Sequence, residues 1–369
     1  MLIGTMVGVG IFGVPFVIAQ SGVVIGLLHF AVLTSAVLLV HLFFGEITLR
    51  TKDHHRLVGY AGRYFGPAGK VIASLSGVLG LYGALLAYIT VSGVFLHALL
   101  GPYLGGTPWA YSIGFTVIAS LAVIRGLRLV EELEFILTAF LFIVIALIGI
   151  VGVQRIDPMN FRTVHLTSAF LPYGVILFSL GGVSAIAEIR DLLRGQERRL
   201  GAAIAWGTIL ASLLTVVFGL IVVGVSGAST STEAISGLAP TLGLSIVLLG
   251  SLLGFLTIAT SFLVLGVYVN KVFEYDFHLP KWLAFALGIG VPFTVFLIGH
   301  PGFISVVMLT GALFCGLDGI LVSLIVLRAR KCGDRKPELR VRVPALVNWI
   351  VVCIFLAGMV ITIRGLLIS

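Results

Sequence analysis

The first apolar run of the chain contains Gly4-Thr5-Met6-Val7-Gly8-Val9-Gly10-Ile11-Phe12-Gly13-Val14-Pro15. A glycine in a helix interior costs ~1 kcal/mol relative to alanine, and a proline costs more. The closely spaced glycines before Pro15 therefore predict a helix that is interrupted rather than continuous. The run also fits the G-x-G-x-x-G pattern of dinucleotide-binding loops, but that function requires a preceding strand in a soluble βαβ unit, which this apolar sequence does not provide.

The composition is that of a membrane protein. Of the 369 residues, 59% are hydrophobic and only 10% are charged, whereas a soluble domain carries about 25% charged residues. Long continuous apolar runs, rather than short alternating ones, favour an all-α membrane protein over a β-barrel. The net charge of +8 would suit nucleic acid, but the basic residues of membrane proteins usually lie in cytoplasmic loops. The expected partner is therefore the lipid bilayer, with no nucleic acid.

The apolar runs predict eleven transmembrane helices. They cover residues 2–20, 23–49, 68–100, 108–124, 132–153, 168–189, 200–226, 241–268, 282–298, 302–328 and 345–367. With the N-terminus inside and the C-terminus outside, all but three of the 23 basic residues fall in cytoplasmic loops, including Arg125 and Arg128 after the fourth helix. We expect an integral protein of the cytoplasmic (plasma) membrane. Met1 opens directly onto the first run, so either the start is truncated or the first half-helix is very short.

The sixth span carries a second interruption. It contains Phe178-Ser179-Leu180-Gly181-Gly182-Val183-Ser184, with a Gly-Gly pair at mid-membrane. Unpaired backbone inside a bilayer is tolerated only where it is buried in protein or lines a cavity. Paired interruptions in two halves of a chain are typical of the central site of a transporter. Because the two spans are five crossings apart, the second half should be inverted relative to the first. The alternative is that the glycines only allow close helix packing.

At these residues the chain resembles the amino acid–polyamine–cation superfamily, in the amino acid permease branch that includes the aromatic amino acid and the neutral amino acid/auxin permeases. The pattern Gly-Thr-x-Val-Gly-x-Gly-Ile-x-x-x-Pro carries the resemblance, together with Gly45-Glu46-Ile47, Leu57-Val58-Gly59-Tyr60-Ala61 and Ala259-Thr260-Ser261-Phe262. The resemblance implies a LeuT-like fold with an inverted 5+5 repeat and broken helices 1 and 6. The repeats would cover 1–153 and 168–328, followed by an extra helix over 345–367.

The implied function is secondary active transport of a neutral amino acid, aromatic or branched, by alternating access. The carboxylate and ammonium of a free amino acid both need partners in a site of low dielectric. The break in the first span exposes backbone N–H groups at a positive dipole end, which suits the carboxylate. Tyr82 and Tyr88 in the third span are candidates for contacts to the substrate side chain. The positions that correspond to the family's substrate-binding residues are Met6, Val9, Gly10, Ile11, Phe178, Ser179 and Gly181.

The eighth span offers hydroxyl oxygens for a cation. Thr257, Thr260 and Ser261 share one helical face through their i, i+3 and i+4 spacing. In the sodium-coupled members of the superfamily such hydroxyls join two first-span carbonyls, which correspond here to Gly4 and Val7. Serine and threonine often bond their own helix instead, but the agreement at all five positions favours a Na⁺ site. No other cofactor is expected.

Proton coupling and exchange remain alternatives within the same fold. The fifth span holds no Lys, Arg or His that could replace sodium, whereas Asp318 in the tenth span is an intramembrane carboxylate, either functional or structurally paired. His41 is interpreted as a packing residue. The chain is not expected to be an enzyme, because it lacks a catalytic set such as His-Glu-x-x-His at membrane depth. A channel is disfavoured because channels usually assemble rings of repeated pore elements. The oligomeric state is left open.

Overall fold

The computed structural model describes residues 1–125 and 130–368, and every regular element in these two ranges is helical. Arg128, which was counted with the basic loops, lies outside the described residues. Turns of π-helix cover 272–276, 286–290 and 310–315. In chain order the α-helices are α1 (Leu2–Met6), α2 (Gly10–Ser21), α3 (Val23–Arg50), α4 (Leu57–Leu104), α5 (Pro108–Arg125), α6 (Val130–Val153), α7 (Pro172–Ser179), α8 (Val183–Leu192), α9 (Leu200–Ser226), α10 (Ala239–Leu242), α11 (Leu244–Lys271), α12 (Lys281–Phe285), α13 (Val291–Gly299), α14 (Phe303–Leu309), α15 (Gly316–Cys332) and α16 (Ala345–Ile368).

The helices are those of an integral membrane protein. Within the described ranges, nine helical segments are long and apolar enough to cross a membrane, and two shorter apolar helices, Gly10–Ser21 and Phe142–Val153, accompany them. The all-α membrane class is confirmed, whereas the count of eleven crossings stays a prediction. Most segments begin and end within a few residues of the predicted spans because long apolar runs are a local signal.

The third membrane helix begins earlier than the sequence predicted. Helix α4 starts at Leu57 rather than near residue 68. A kink at Gly66, with φ of +69° and ψ of −158°, separates a first arm over 57–65 from the long membrane part. The positive φ explains the glycine, and Pro67 immediately after it cannot continue the preceding helical hydrogen bonds. The arm carries polar residues, so its sequence predicts a connection rather than part of the span.

The first membrane segment is interrupted where its glycines predicted. Helix α1 ends at Met6 and α2 begins at Gly10, so that three residues lie outside regular helix. Two long 3₁₀-type hydrogen bonds bridge the gap, from Ile11 N–H to Gly8 O (3.3 Å) and from Phe12 N–H to Val9 O (3.2 Å). Pro15 lies inside α2 and does not end it. The break therefore comes from the glycines and not from the proline.

The sixth membrane segment is interrupted over residues 180–182, between α7 and α8. Gly182 has a φ of −161°, which any residue can adopt. What it requires is space, because a Cβ there would lie 2.9 Å from Leu2 Cδ1, 3.1 Å from Met6 Cγ and 3.2 Å from His41 Cε1. The glycine allows the second interruption to approach the first membrane segment. Both predicted breaks, in spans 1 and 6, are confirmed.

Two apolar cores organise the helices. The smaller core joins α4, α5, α11, α12 and α13 through residues such as Leu85, Phe115, Phe262 and Phe296. The larger core is centred on α1, α2, α3, α7, α8 and α9 and also includes parts of α4, α6, α11, α14, α15 and α16. The two interrupted segments belong to the larger core.

Candidate functional site at the two helix interruptions

The two interruptions lie directly against each other. A Cβ on Gly10 would be 2.8 Å from Ser179 Cα and 3.0 Å from Phe178 Cδ1, which is closer than side chains tolerate. The absence of a side chain at Gly10 therefore brings the first turn of α2 against the last turn of α7. Helix α2 also packs along α7 and α9, which fixes the two half-helices relative to each other.

Opposite helix ends meet at this contact. The start of α2 presents backbone N–H groups, and the ends of α1 and α7 present carbonyl groups. Helix N-termini carry a partial positive charge and C-termini a partial negative charge. An anion and a cation that belong to one small molecule can therefore both find partners here, without an ionised side chain at either break. A zwitterionic amino acid is such a molecule.

A cavity of about 450 Å³ opens at the interruptions and runs between them and α4. Of the predicted substrate-binding residues, six line it: Met6, Val9, Gly10, Phe178, Gly181 and Tyr88. Most side chains that α4 turns to the cavity are small, among them Ala73, Gly77, Gly80 and Ala84, with Leu81 and Tyr88 as larger ones. This slot leaves room for a flat side chain between α4 and the interruptions.

The other three predicted substrate residues do not line the cavity. Ile11 is fully buried in the larger core. Ser179 is buried too, and its hydroxyl donates to Ile176 O at 2.8 Å, so only its backbone can contribute to the break. Tyr82 lies within the smaller core, where its hydroxyl donates to Leu287 O at 2.8 Å and its ring stacks on Phe273.

The cavity is open at one end and closed at the other. At the open end it is lined by Arg56 and Glu188, whose side chains are 60% and 54% exposed. We call this the basic end, because the basic connections after α3 and α15 lie there. At the opposite end the rings of Phe12 and Phe95 meet edge-to-face at 5.2 Å between centroids, and both are buried.

A carboxyl group lines the cavity between the interruptions and the basic end. Asp318 on α15 accepts a hydrogen bond from the Ser76 hydroxyl on α4 at 2.8 Å. The same hydroxyl lies 3.3 Å from Phe314 O. Both side chains line the cavity. The sequence predicts Asp318 as an intramembrane acid, but nothing in the sequence identifies Ser76 as its partner.

His41 is a cavity residue that the sequence analysis interpreted as packing. Its side chain is fully buried, and Nδ1 lies 2.9 Å from the Thr208 hydroxyl oxygen on α9. Its Nε2 has no hydrogen-bond partner among the described residues. A buried polar atom without a partner is uncommon. His41 therefore makes a polar contact as well as packing in the core. Its polar neighbour Thr208 lies 167 residues away in the chain.

The predicted cation-binding residues lie on the predicted elements. Thr257 Oγ1 is buried and has no hydrogen-bond partner among the described residues. The Thr260 hydroxyl instead donates to carbonyls of its own helix, at 2.9 Å to Thr257 O and 3.3 Å to Leu256 O. Gly4 lies in α1, and Val7 lies just after its end, outside regular helix. The Thr257 hydroxyl oxygen, without a partner among the described residues, and the Val7 carbonyl outside regular helix suit a hard cation. The hydrogen bonds of the Thr260 hydroxyl instead stay within its own helix.

Comparison with known sequences gives one family and two tyrosine transporters. The sequence profile of the tryptophan/tyrosine permease family matches residues 1–364. The tyrosine-specific transport system 2 of Haemophilus influenzae is 27% identical over an alignment of 406 residues, which covers 100% of this chain and 95% of the relative. The tyrosine-specific transport system 1 of the same organism is 24% identical over 372 residues, or 91% and 88% of the two chains.

Comparison with solved structures supports the fold. The crystal structure of MhsT in complex with L-phenylalanine matches with a TM-score of 0.62 and covers 97% of both chains. The sequence identity is 15%, so this likeness concerns the fold alone. The predicted LeuT-like architecture is thereby confirmed.

Proposed function

Because this chain belongs to the tryptophan/tyrosine permease family, we propose that it is a secondary active transporter of aromatic amino acids, with tyrosine as its main substrate. Its relatives are transport systems rather than enzymes. Both Haemophilus relatives are named for tyrosine, and the structural relative binds L-phenylalanine. These names support an aromatic side chain over a branched aliphatic one.

The observation that carries this proposal is the contact between the two interruptions inside the cavity. Backbone N–H groups at the start of α2 would bind the substrate carboxylate, and carbonyl groups at Met6 and Phe178 would bind its ammonium. The slot along α4 would hold the ring. Gly10 lines the cavity, so a substrate there would meet the backbone at the start of α2.

Transport would proceed by alternating access. The open basic end and the closed contact between Phe12 and Phe95 suit a state that faces the cytoplasm. The excess of basic residues at the open end supports this orientation, with the N-terminus inside and the C-terminus outside. The repeats would comprise 1–153 and 168–328 in opposite orientations, with 345–367 as an added helix. Substrate binding would then promote relative movement of the two cores.

We assign the coupling ion as Na⁺, held by carbonyls of Gly4 and Val7 and by hydroxyls of span 8. The support is the unpaired buried oxygen of Thr257 and the position of Val7 outside regular helix. The hydroxyls of Thr260 and Ser261 would complete the ligand set. Oxygen ligands of this kind suit hard cations. The ion would supply a local positive charge that ties the first segment to α11.

Proton coupling is the second candidate, favoured by one observation. Asp318 lines the cavity, and among the described residues it makes no ion pair within 4.0 Å. Intramembrane carboxylates are often part of proton pathways. Exchange of one amino acid for another would need neither ion. The thermal-stabilisation experiment described next distinguishes it from both kinds of ion coupling.

The test is thermal stabilisation of the purified protein by each of the twenty amino acids, in sodium and in potassium, at two pH values. A ligand that binds only the folded state stabilises it by ~2.7 kcal/mol at a concentration of about 100 times its Kd. We expect tyrosine, tryptophan and phenylalanine to stabilise the protein in sodium, and arginine and glutamate to have no effect. Stabilisation by none of the aromatic amino acids would overturn the proposed substrate class.

A double variant tests the ion. Thr260→Ala combined with Ser261→Ala should raise the sodium concentration needed for uptake by about tenfold or more, because two ligands are lost. Thr294→Ala is the matched control, since that exposed hydroxyl bonds only Gly290 O on its own helix. If the double variant keeps the sodium dependence of the unmodified protein, the sodium ion is not held by these two hydroxyls. If stabilisation instead follows pH and ignores sodium, the coupling belongs to a proton.

A further inference from the structure

A polar pair lies at the far end of the slot that would hold the substrate ring. The Ser76 hydroxyl donates to an Asp318 carboxylate oxygen at 2.8 Å, and this contact joins α4 to α15 across the cavity. The neighbouring cavity positions on α4 are small, with Ala73 and Gly77 beside the serine and Gly80 one turn further. The pair is therefore the polar end of a slot with otherwise mostly apolar walls.

The pair lies within reach of a substrate held at the interruptions. A Cβ on Gly181 would lie 3.7 Å from Cys315 Sγ, so α15 begins beside the second break. Asp318 follows three residues later, about 4.5 Å further along the helix axis at ~1.5 Å per residue. This is the scale over which an aromatic ring extends from its backbone. A ring that starts at the breaks would bring its para substituent to the carboxyl group.

The carboxyl group has capacity for a further donor. A carboxylate offers about four acceptor positions, and the described residues supply one side-chain donor, Ser76. No basic side chain of the described residues pairs with it within 4.0 Å; Arg328, on the same helix, instead contacts Tyr64 O and the Phe65 ring. The other titratable side chains that line the cavity are Arg56, His41, Tyr88, Glu188, Tyr268 and Cys315. Among the described residues, neither His41 nor Cys315 makes a hydrogen bond to Asp318.

We propose that Ser76 and Asp318 form the specificity site for the tyrosine hydroxyl, which would donate a hydrogen bond to the Asp318 carboxylate. This inference rests on the proposed function, because it assumes that the substrate backbone is bound at the interruptions. Phenylalanine would occupy the same slot and leave the carboxylate without its second donor. A site built to bond a hydroxyl rejects the analogue that lacks it, because a buried polar group then remains unpaired.

The experiment compares affinities for tyrosine, phenylalanine and O-methyltyrosine, measured on the purified protein by titration calorimetry. In the unmodified protein, tyrosine should bind ~10- to 100-fold more tightly than phenylalanine, the range expected for a hydrogen bond to a charged group. O-methyltyrosine, which cannot donate, should not exceed phenylalanine. Asp318→Asn removes the charge that strengthens the hydrogen bond to the tyrosine hydroxyl, and Ser76→Ala removes the contact that holds the Asp318 carboxylate in position. Each should lower the tyrosine preference toward one, mainly by weakening tyrosine and leaving phenylalanine within about twofold.

Ser74→Ala is the matched control, because Ser74 lies on the same helix two positions away and outside the cavity lining; it should keep the full preference. If Asp318→Asn fails to fold, Ser76→Ala decides the question. An unchanged tyrosine preference in variants that still bind phenylalanine overturns the assignment, and a simultaneous loss of pH-dependent uptake would make Asp318 a proton carrier instead. Equal affinities in the unmodified protein overturn the pair but leave the proposed transporter intact. No binding of any aromatic amino acid overturns both.

Discussion

Gly10 is the residue at which the two interruptions make their closest contact. Gly10→Ala would place a Cβ 2.8 Å from Ser179 Cα, and the backbone of α7 cannot move aside as a flexible side chain could. We expect the variant to lose ~1–3 kcal/mol of stability, as for other overpacked sites. Substrate affinity should fall about tenfold or more, because the two breaks are forced apart. Thermal unfolding and ligand titration measure the two effects.

Gly8→Ala provides the control for this prediction. Its Cβ would come no closer than 3.8 Å, to Thr5 O, so the extra methyl group fits without displacement. Stability should therefore stay within about 0.5 kcal/mol of the unmodified protein. Equal loss of stability in both variants would mean that the glycines serve only backbone freedom and not the close contact.

Single polar and aromatic residues show the limit of sequence prediction at this scale. Tyr82 and Tyr88 were equal candidates, yet they are six positions apart, which at ~100° per residue puts them on different faces of α4. Only packing decides that Tyr88 faces the cavity and Tyr82 the smaller core. The partners of Ser76 and His41 lie 242 and 167 residues away. No local pattern could pair them.

At the scale of elements, the interruptions were predictable because their cause is local. Glycine clusters in the first and sixth apolar runs mark both breaks to within a few residues. The π-helical turns, such as the one over 310–315, had no comparable signal. The arm over 57–65 was also missed, because it is held by tertiary contacts; Tyr60, for instance, packs edge-to-face on Phe44 at 5.7 Å. Its polar sequence instead predicts a loop.

The connection over residues 333–343, which we call the inner strap, is tied to the end of α3. Glu46 is fully buried and accepts hydrogen bonds from Arg330 Nη2 at 2.8 Å and from Val341 N–H at 3.1 Å. Arg50 pairs with the same carboxylate at 2.7 Å. Leu339 of the strap packs against Gly45 of α3. One acid therefore holds the last membrane connection against the larger core.

Glu46→Gln should destabilise the protein by ~1–3 kcal/mol, because Arg50 and Arg330 would lose the charge that compensates them. The strap should become more sensitive to protease, with thermal unfolding and limited proteolysis as readouts. Glu338→Gln is the control; this acid pairs with Arg335 in a partly exposed position, where ion pairs contribute at most about 1 kcal/mol. If the two variants unfold alike, Glu46 does not hold the strap.

At the scale of the whole molecule, alternating access as proposed would make the contact between Phe12 and Phe95 and the basic end of the cavity alternative gates. Val91, on α4 one turn before Phe95, is fully buried on the closed side, whereas Ala187 on α8 lines the open part of the cavity. If the cores rock about the interruptions, these two positions should exchange their access to water. A rigid pore would keep both accessible or both closed at all times.

Single cysteines at these two positions, in a variant whose native Cys315, Cys332 and Cys353 are replaced, test that exchange. In membrane vesicles without sodium or substrate, Ala187→Cys should react with a water-soluble maleimide from the side of the basic end, while Val91→Cys stays unreactive. Sodium alone should shift the protein toward the state that is open opposite the basic end. Val91→Cys should then react from that side, and the reaction of Ala187→Cys should slow by severalfold. Wild-type levels of substrate stabilisation in both variants control for folding. If the two positions gain and lose reactivity together, alternating access is contradicted, because one cavity would then be open to both sides at once.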